Sequence, residues 1–141
     1  MDDKVSKPTP LRAAIAFVLV SLLPGLLYHY VQDVFRPGLA GGGQETATIT
    51  YLAGVAPNFL GAVSLTGGIN IVAREMVKGV PQGKVDLGAA ALALLGLWAW
   101  EGLQLFMPYG AFDWHDLAWT VPGVLIGYFA ASRILGRRTR S

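Results

Sequence analysis

The spacing of charged residues constrains the fold of this chain more than any other feature of its sequence. From Thr46 to Ala73 the chain runs for 28 residues without a charged side chain. A helix needs about 20 consecutive apolar residues to cross a bilayer, whereas a soluble domain usually has charge on about a quarter of its residues. In this chain only 14% of the residues are charged and 53% are hydrophobic. We therefore predict a membrane protein.

Four apolar stretches predict an all-α membrane protein, a four-helix transmembrane bundle forming a single domain over residues 1–141. The predicted spans cover about residues 13–31, 47–72, 87–106 and 117–135. The second stretch is longer than a bilayer requires. Its helix therefore tilts, begins late with Pro57 in its first turn, or kinks at Pro57, and we predict the kink. The third span is predicted to contain one charge, Glu101.

The positions of the basic residues predict the orientation of the spans. Ten of the eleven Lys and Arg residues lie before the first span, between the second and third, or at and after the end of the fourth. Because cytoplasmic loops carry the excess of Lys and Arg, both termini are predicted to be cytoplasmic and the protein to be a multi-pass protein of the cell (inner or plasma) membrane. The opposite side carries Arg36 and four acids, Asp33, Glu45, Asp113 and Asp116.

Composition also narrows the classes of partner and chemistry. The net charge of +2 and the pI near 9.1 do not indicate nucleic acid, because the basic residues lie at span ends where topology places them. Membrane lipids are the predicted partners. The absence of cysteine excludes disulfides, thiolate metal sites and thiol nucleophiles. No metal, cofactor or catalytic residue is predicted.

Small residues recur at helix-face spacing on every predicted span. Membrane helices associate through close packing at such residues, so the pattern predicts a compact bundle within one chain. It is also compatible with dimerisation through the fourth span. The stripes consist of Ser21 and Gly25; Gly54, Gly61 and Gly68 with Asn58; Ala89, Ala93 and Gly96; and Gly123 and Gly127.

Glu101 begins the one segment of the sequence that carries candidate chemistry. A carboxylate within a span costs a few kcal/mol, so it usually faces the bundle interior and serves a function. Gln104 lies three residues on and therefore shares its helix face. Asp113 and Asp116 follow after a short connection, and a hairpin would return them to Glu101. We predict a ligand-binding cluster of these four residues at the outer surface, with two possible additional members, His29 and Asn58. The alternatives are polar packing for Glu101 with Gln104 and helix capping for the two aspartates.

The same segment resembles the VanZ-like family of small bacterial membrane proteins. That family has a Glu-x-x-Gln pair late in one span, Asp-x-x-Asp opening the next and a glycine seven residues further on, which correspond to the four cluster residues and Gly123. The resemblance covers about residues 97–127. The family's usual arginine before the first aspartate is replaced by residues 110–112, and its frequent asparagine by Thr120. The resemblance implies a cell-envelope setting and resistance to glycopeptide-type antibiotics.

Three functions follow from these features. The first is a non-enzymatic, VanZ-like envelope protein that binds a lipid or amphipathic compound at the outer leaflet through the acidic cluster. The second is an accessory or assembly subunit of a larger membrane complex, or a homo-oligomer, which the small size and the glycine stripes favour. The third is a membrane enzyme acting on a lipid-linked substrate, with carboxylates as general acid and base or as ligands of a divalent cation. We rank them in that order.

Overall fold

Four long helices make up the fold. The computed structural model describes residues 9–40, 46–108 and 112–136, and every regular element within them is helical. Each of the four is long and apolar enough to cross a membrane, which confirms the predicted number of helical spans. Lys4, Glu45, Tyr109 and Arg137 are among the residues that lie outside the described ranges. The helices are α1 (Pro10–Leu39), α2 (Ala47–Met76), α3 (Gln82–Gln104) and α4 (Trp114–Leu135).

The third helix begins five residues earlier than the sequence pattern predicts. Pro81 occupies the N-cap position, and its carbonyl accepts hydrogen bonds from the amides of Lys84 and Val85. Proline suits the start of a helix because its φ is fixed, and because an amide hydrogen at this position would have no acceptor within the helix. Lys84 and Asp86 therefore belong to α3 but precede the predicted span, and Glu101 as the one charge within residues 87–106 stays a prediction.

The first helix widens where prolines interrupt its hydrogen bonds. Its segments Phe17–Leu22 and Val31–Phe35 are π-helical, and they precede Pro24 and Pro37 by one turn or less. Proline has no amide hydrogen and its ring crowds the preceding turn. The residues directly before the two prolines donate instead to carbonyls five positions back. The helix thereby stays continuous instead of breaking.

Helix α2 runs without interruption through Pro57, which is buried. Since α2 begins at Ala47, the alternative of a late start with Pro57 in the first turn is wrong. A kink at Pro57 stays a prediction. Continuity through proline is common in membrane helices because neighbouring helices satisfy the freed backbone groups.

The small residues of α4 pack against the backbone of α2. A Cβ atom added to Gly123 would lie 2.5 Å from the Phe59 carbonyl oxygen, and one added to Gly127 would lie 2.9 Å from the Val63 carbonyl oxygen. Both distances are shorter than any real contact allows, so the two helices approach to backbone contact at these glycines. This face of α4 is occupied within the chain, and it is therefore not free for the dimerisation that the sequence left open.

Helix α1 packs against another side of α2 through the same kind of contact. A Cβ atom added to Gly67 would lie 2.6 Å from the Val20 carbonyl oxygen. Ser64 lies beside Gly25, and its hydroxyl donates a hydrogen bond of 2.8 Å to the Ser21 carbonyl oxygen. The stripes of α1 and α4 thus converge on α2, which makes α2 the central helix of the bundle. Two core clusters surround it, one towards α1 and α4 and one towards α3 and α4.

Not every predicted small residue marks an interface. A Cβ atom at Gly54 or Gly96 would meet nothing within 4 Å, so these positions face open space. Ala89 and Ala93, in contrast, are buried in the bundle. The prediction of one packing stripe on each helix is therefore right for α1 and α4, and only partly right for α2 and α3.

Candidate functional site

The two ends of the bundle differ in charge. The basic end carries the last turns of α2 and α4 and the first turns of α1 and α3, with Arg12, Arg74 and Lys84. The acidic end carries the last turn of α3 and the first turn of α4, with Glu101 and Asp116. The predicted site residues of α3 and α4 all lie at the acidic end.

Glu101 is enclosed by the bundle. Its side chain belongs to a residue that is only 5% exposed, and its Oε2 atom has no hydrogen-bond partner among the described residues. The amide of Gln104 lies beside the carboxyl group, and the nearest charges are those of Asp116 and Asp113. Buried charges in proteins are normally paired. Here the neighbouring charges have the same sign, and the Gln104 amide supplies a hydrogen bond while the Oε2 atom has no partner among the described residues.

Polar groups from the other helices lie around Asp116. It is half-buried in the first turn of α4, and it interacts electrostatically with Asp113, Arg36 and His115, while the amide of Asn58 from α2 lies beside it. Arg36 comes from α1, where its guanidinium donates a hydrogen bond of 2.6 Å to Gln32 Oε1. All four helices therefore contribute a polar group around this carboxylate.

Asp113 lies at the edge of the cluster and caps α4. It is exposed, and its Oδ1 atom accepts a hydrogen bond of 2.8 Å from the backbone amide of His115 and lies 2.9 Å from the His115 ring nitrogen. The backbone hydrogen bond from His115, followed by the bond from its side chain, holds the pKa of Asp113 below the ordinary value of 3.8. The capping role that was the alternative for Asp113 is present in the structure.

His29 lies apart from the cluster. Its ring nitrogen is 3.3 Å from Asp33 one turn further along α1, and both side chains are well exposed. The ring also packs edge-on against Tyr28. The structure thus brings Glu101, Gln104, Asp116 and Asn58 together, leaves Asp113 at their edge, and places His29 in a separate surface pair.

Aromatic side chains form a rim beside the cluster. Trp119 of α4 donates a hydrogen bond of 2.9 Å to the Tyr51 hydroxyl of α2 and packs edge-on against Phe59. The ring of His115 packs edge-on against Tyr51. Amphipathic rings of this kind concentrate at the membrane–water interface, which is consistent with this end lying at the membrane surface.

The site offers carboxylates and amides, with the Arg36 guanidinium and His115 near Asp116. Among the described residues, no group of three or more His, Cys, Asp or Glu side chains is placed to hold a metal ion. The arrangement offers negative charge and hydrogen-bond acceptors to a ligand, so a cation with N–H donors is complementary to it.

A second charged group, at the basic end, was missed by the sequence analysis. The Arg74 Nε and Nη2 atoms donate to the two carboxylate oxygens of Asp86 at 2.7 and 2.5 Å, and both side chains are almost fully buried. Ser132 donates to Asp86 Oδ2 at 2.9 Å, and Arg74 Nη1 donates to the Gly136 carbonyl oxygen at 3.1 Å. This network joins α2, α3 and the end of α4.

A sequence signal for this pair existed. Arg74 and Asp86 are opposite charges near the facing ends of two consecutive helices, and the connection between those helices is short. Arg74 was interpreted only as a topology residue, and Asp86 was placed outside the third span. Unlike Glu101, Asp86 is paired with a charge of the opposite sign.

The chain was compared with protein-family models, curated proteins and solved structures, and it matches none of them. The resemblance of residues 97–127 to the VanZ-like family therefore stays a prediction.

Proposed function

We propose that this chain is a non-enzymatic multi-pass protein of the cell membrane that binds an amphipathic compound or lipid at the outer leaflet through Glu101 and Asp116. The proposal includes cytoplasmic termini, which the distribution of Lys and Arg supports. It places the acidic end at the outer surface. The VanZ-like resemblance supports a bacterial cell-envelope setting.

One observation carries the proposal. Among the residues that the structure describes, the enclosed Oε2 atom of Glu101 has no hydrogen-bond partner, and the charges nearest to it are also negative. A buried polar atom without a partner is costly, and more so when it is charged. A ligand with N–H donors and a positive charge, such as a primary ammonium or a guanidinium, would satisfy both carboxylates.

The surroundings suit an apolar tail on the same ligand. Leu103, Phe106 and Trp114, which flank the site along the chain, are 52%, 85% and 74% exposed. At membrane depth such side chains contact lipid, so a tail attached to the charged group remains in an apolar environment. The proposed ligand is therefore a cationic amphiphile.

Direct binding tests the proposal. The chain is placed in nanodiscs and titrated with dodecylammonium, with dodecanol as the uncharged compound of equal chain length and empty nanodiscs as the baseline. We expect saturable binding of the ammonium alone, weakened at least tenfold in Glu101→Gln and in Asp116→Asn. Asp33→Asn is the matched control, because Asp33 is an exposed acid at the same end that lies outside the cluster. Equal binding by all four proteins would refute the site.

A cellular assay tests the envelope role. Expression of the chain in a bacterial host is expected to change sensitivity to lipophilic envelope antibiotics, and Glu101→Gln is expected to abolish the change at equal protein level. No change with the wild-type chain would argue against the envelope role even if the ligand binds in nanodiscs.

The second candidate function is an accessory or assembly subunit. Gly88 and Gly96 lie on α3 with nothing within 4 Å of an added Cβ atom, so a partner helix has access to small residues there. A stoichiometric partner that co-purifies in mild detergent and is lost in Gly88→Leu would favour this function. A monomer that binds dodecylammonium would favour the first.

A further inference from the structure

The centre of the bundle contains polar side chains that the proposed function does not use. Thr66 and Asn70 lie one turn apart on α2, and both are 0% exposed. Thr66 Oγ1 and both polar atoms of the Asn70 amide have no hydrogen-bond partner among the described residues. Buried polar atoms in proteins are almost always hydrogen-bonded. The Asn70 amide carries two N–H donors and an acceptor oxygen, so it has several hydrogen bonds to satisfy.

The register between helices shows what surrounds the Asn70 amide. Gly67 contacts Val20 of α1, and Thr66 contacts Gly127 of α4. One helical turn towards the basic end, the corresponding residues are Ala16 on α1 and Ala131 on α4. Both alanines are 0% exposed, so they are core residues at the level of Asn70.

Helix α3 contributes a third alanine at this level. Asp86 contacts Arg74, and because α3 runs antiparallel to α2, Ala90 is the α3 residue opposite Asn70. Ala90 is also buried. The buried residues of the other helices at this level are therefore alanines, whose methyl groups have no hydrogen-bonding atoms.

The ion pair at the basic end supplies the nearest polar partners. Arg74 follows Asn70 by one turn, which is about 6 Å along the helix. Its guanidinium has five N–H donors, and three of them are directed to Asp86 and Gly136. None of the hydrogen bonds of Arg74 goes to Asn70. A bridging molecule that both donates and accepts can join polar groups that do not bond directly.

We propose that the bundle core binds ordered water at Asn70, bridging its amide to Thr66 Oγ1 on one side and to the Arg74–Asp86 pair on the other. Water is the ligand class that fits, because it is small, both donates and accepts, and is held by two to four polar partners. An ion is not required, since the nearby charges of Arg74 and Asp86 cancel. The site is independent of the outer acidic cluster.

The sequence allows a direct test by NMR. Asn58 and Asn70 are the only two asparagines in the chain, so selective labelling of the asparagine side-chain amides with ¹⁵N yields two NH₂ groups. The intact chain in detergent micelles is examined for cross-relaxation between each amide and water. We expect a direct dipolar contact with long-lived water at Asn70, and rapid exchange with bulk water at Asn58, which is half-buried at the acidic end. Asn70→Leu assigns the signals.

The deciding water contact is measured on the wild-type chain, and Asn70→Leu serves only to assign the signals. An Asn70 amide of the wild-type chain that shows contacts only to protein protons would overturn the proposal. The Thr66→Val chain serves as the second measurement, because valine has the same shape without the hydroxyl. We expect it to shift the Asn70 amide resonances and to weaken the water contact by at least half. Unchanged resonances and contact would refute the bridge to Thr66.

Discussion

At the scale of single residues, the two ends of the bundle hold buried charge in different ways. Arg74 and Asp86 form a bidentate pair with a further donor from Ser132, so their charges are matched. Within the described part of the chain, the Oε2 atom of Glu101 has no hydrogen-bond partner, and its charged neighbours are acidic. A matched pair supports the structure, whereas an unmatched carboxylate offers an interaction to something outside the chain.

Removing one member of the matched pair tests its structural role. We expect Asp86→Ala to lower the free energy of unfolding by about 3–5 kcal/mol, because the Arg74 charge is then buried without a partner. Lys84→Ala, an exposed change two residues away, should stay within about 0.5 kcal/mol of wild type. Denaturant unfolding in micelles measures both. The double change Arg74→Met with Asp86→Leu should be more stable than Asp86→Ala, and the opposite order would contradict the explanation.

Asp113 makes the start of α4 sensitive to acid. Its pKa is lowered in the folded protein, so its contribution to stability is present above the unfolded pKa and is lost as the pH falls through the folded pKa. We expect the His115 backbone amide resonance to titrate with a midpoint below the ordinary aspartate value of 3.8. The NMR titration of Asp113→Asn should lack this transition, since asparagine also caps but does not ionise. A midpoint at or above 3.8 would contradict the cap.

At the scale of the helices, glycines of identical chemistry have opposite roles. Gly123 lies against the Phe59 carbonyl oxygen of α2, whereas Gly88 has nothing within 4 Å of an added Cβ atom. The first lets two backbones meet. The second lies on an open face of α3, where glycine only weakens the helix.

A matched pair of alanine substitutions measures this difference. Gly123→Ala should destabilise the bundle by about 1–3 kcal/mol, because the new methyl group forces α2 and α4 apart. Gly88→Ala should be neutral or stabilise by up to about 1 kcal/mol through helix propensity. Thermal unfolding in micelles compares the two variants with wild type. Equal effects would mean that α4 does not contact α2 as described.

At the scale of the whole molecule, an even number of spans places both termini on one side of the membrane. The proposed orientation predicts that reporter fusions at the N- and C-termini are both active in the cytoplasm. Changing the number of positive charges near Arg36 tests whether the basic residues set the orientation. Replacing Arg36 with glutamine should leave the orientation unchanged, whereas adding lysines beside it should produce a mixture of orientations. Reporters in different compartments would contradict the four-span arrangement.

Much of the candidate site was predictable from the sequence because its members lie on one hairpin. Glu101 and Asp116 have the spacing that brings them together once α3 and α4 pair, and the burial of Glu101 follows from the cost of exposing a carboxylate to lipid. The exclusion of His29 was not predictable. It lies ten residues before the end of α1, and the rotation of α1 about its own axis decides which side of the helix it occupies.

The number of helices and the separation of basic from acidic ends were determined by the sequence alone, whereas α1 continues eight residues beyond its predicted end and α3 begins five residues early. Hydropathy and charge are properties of each residue, and the free energy of inserting a segment into a bilayer depends on them directly. Which small residues meet and which charges pair was decided only by the tertiary structure. Gly123 and Gly96 both belong to small-residue stripes of the sequence, and only the structure shows which of them meets another helix. Asp86 can be recognised as a buried acid only when Arg74 is known to lie opposite it. Those outcomes depend on the rotation of each helix about its own axis, which the packing of all four helices sets together.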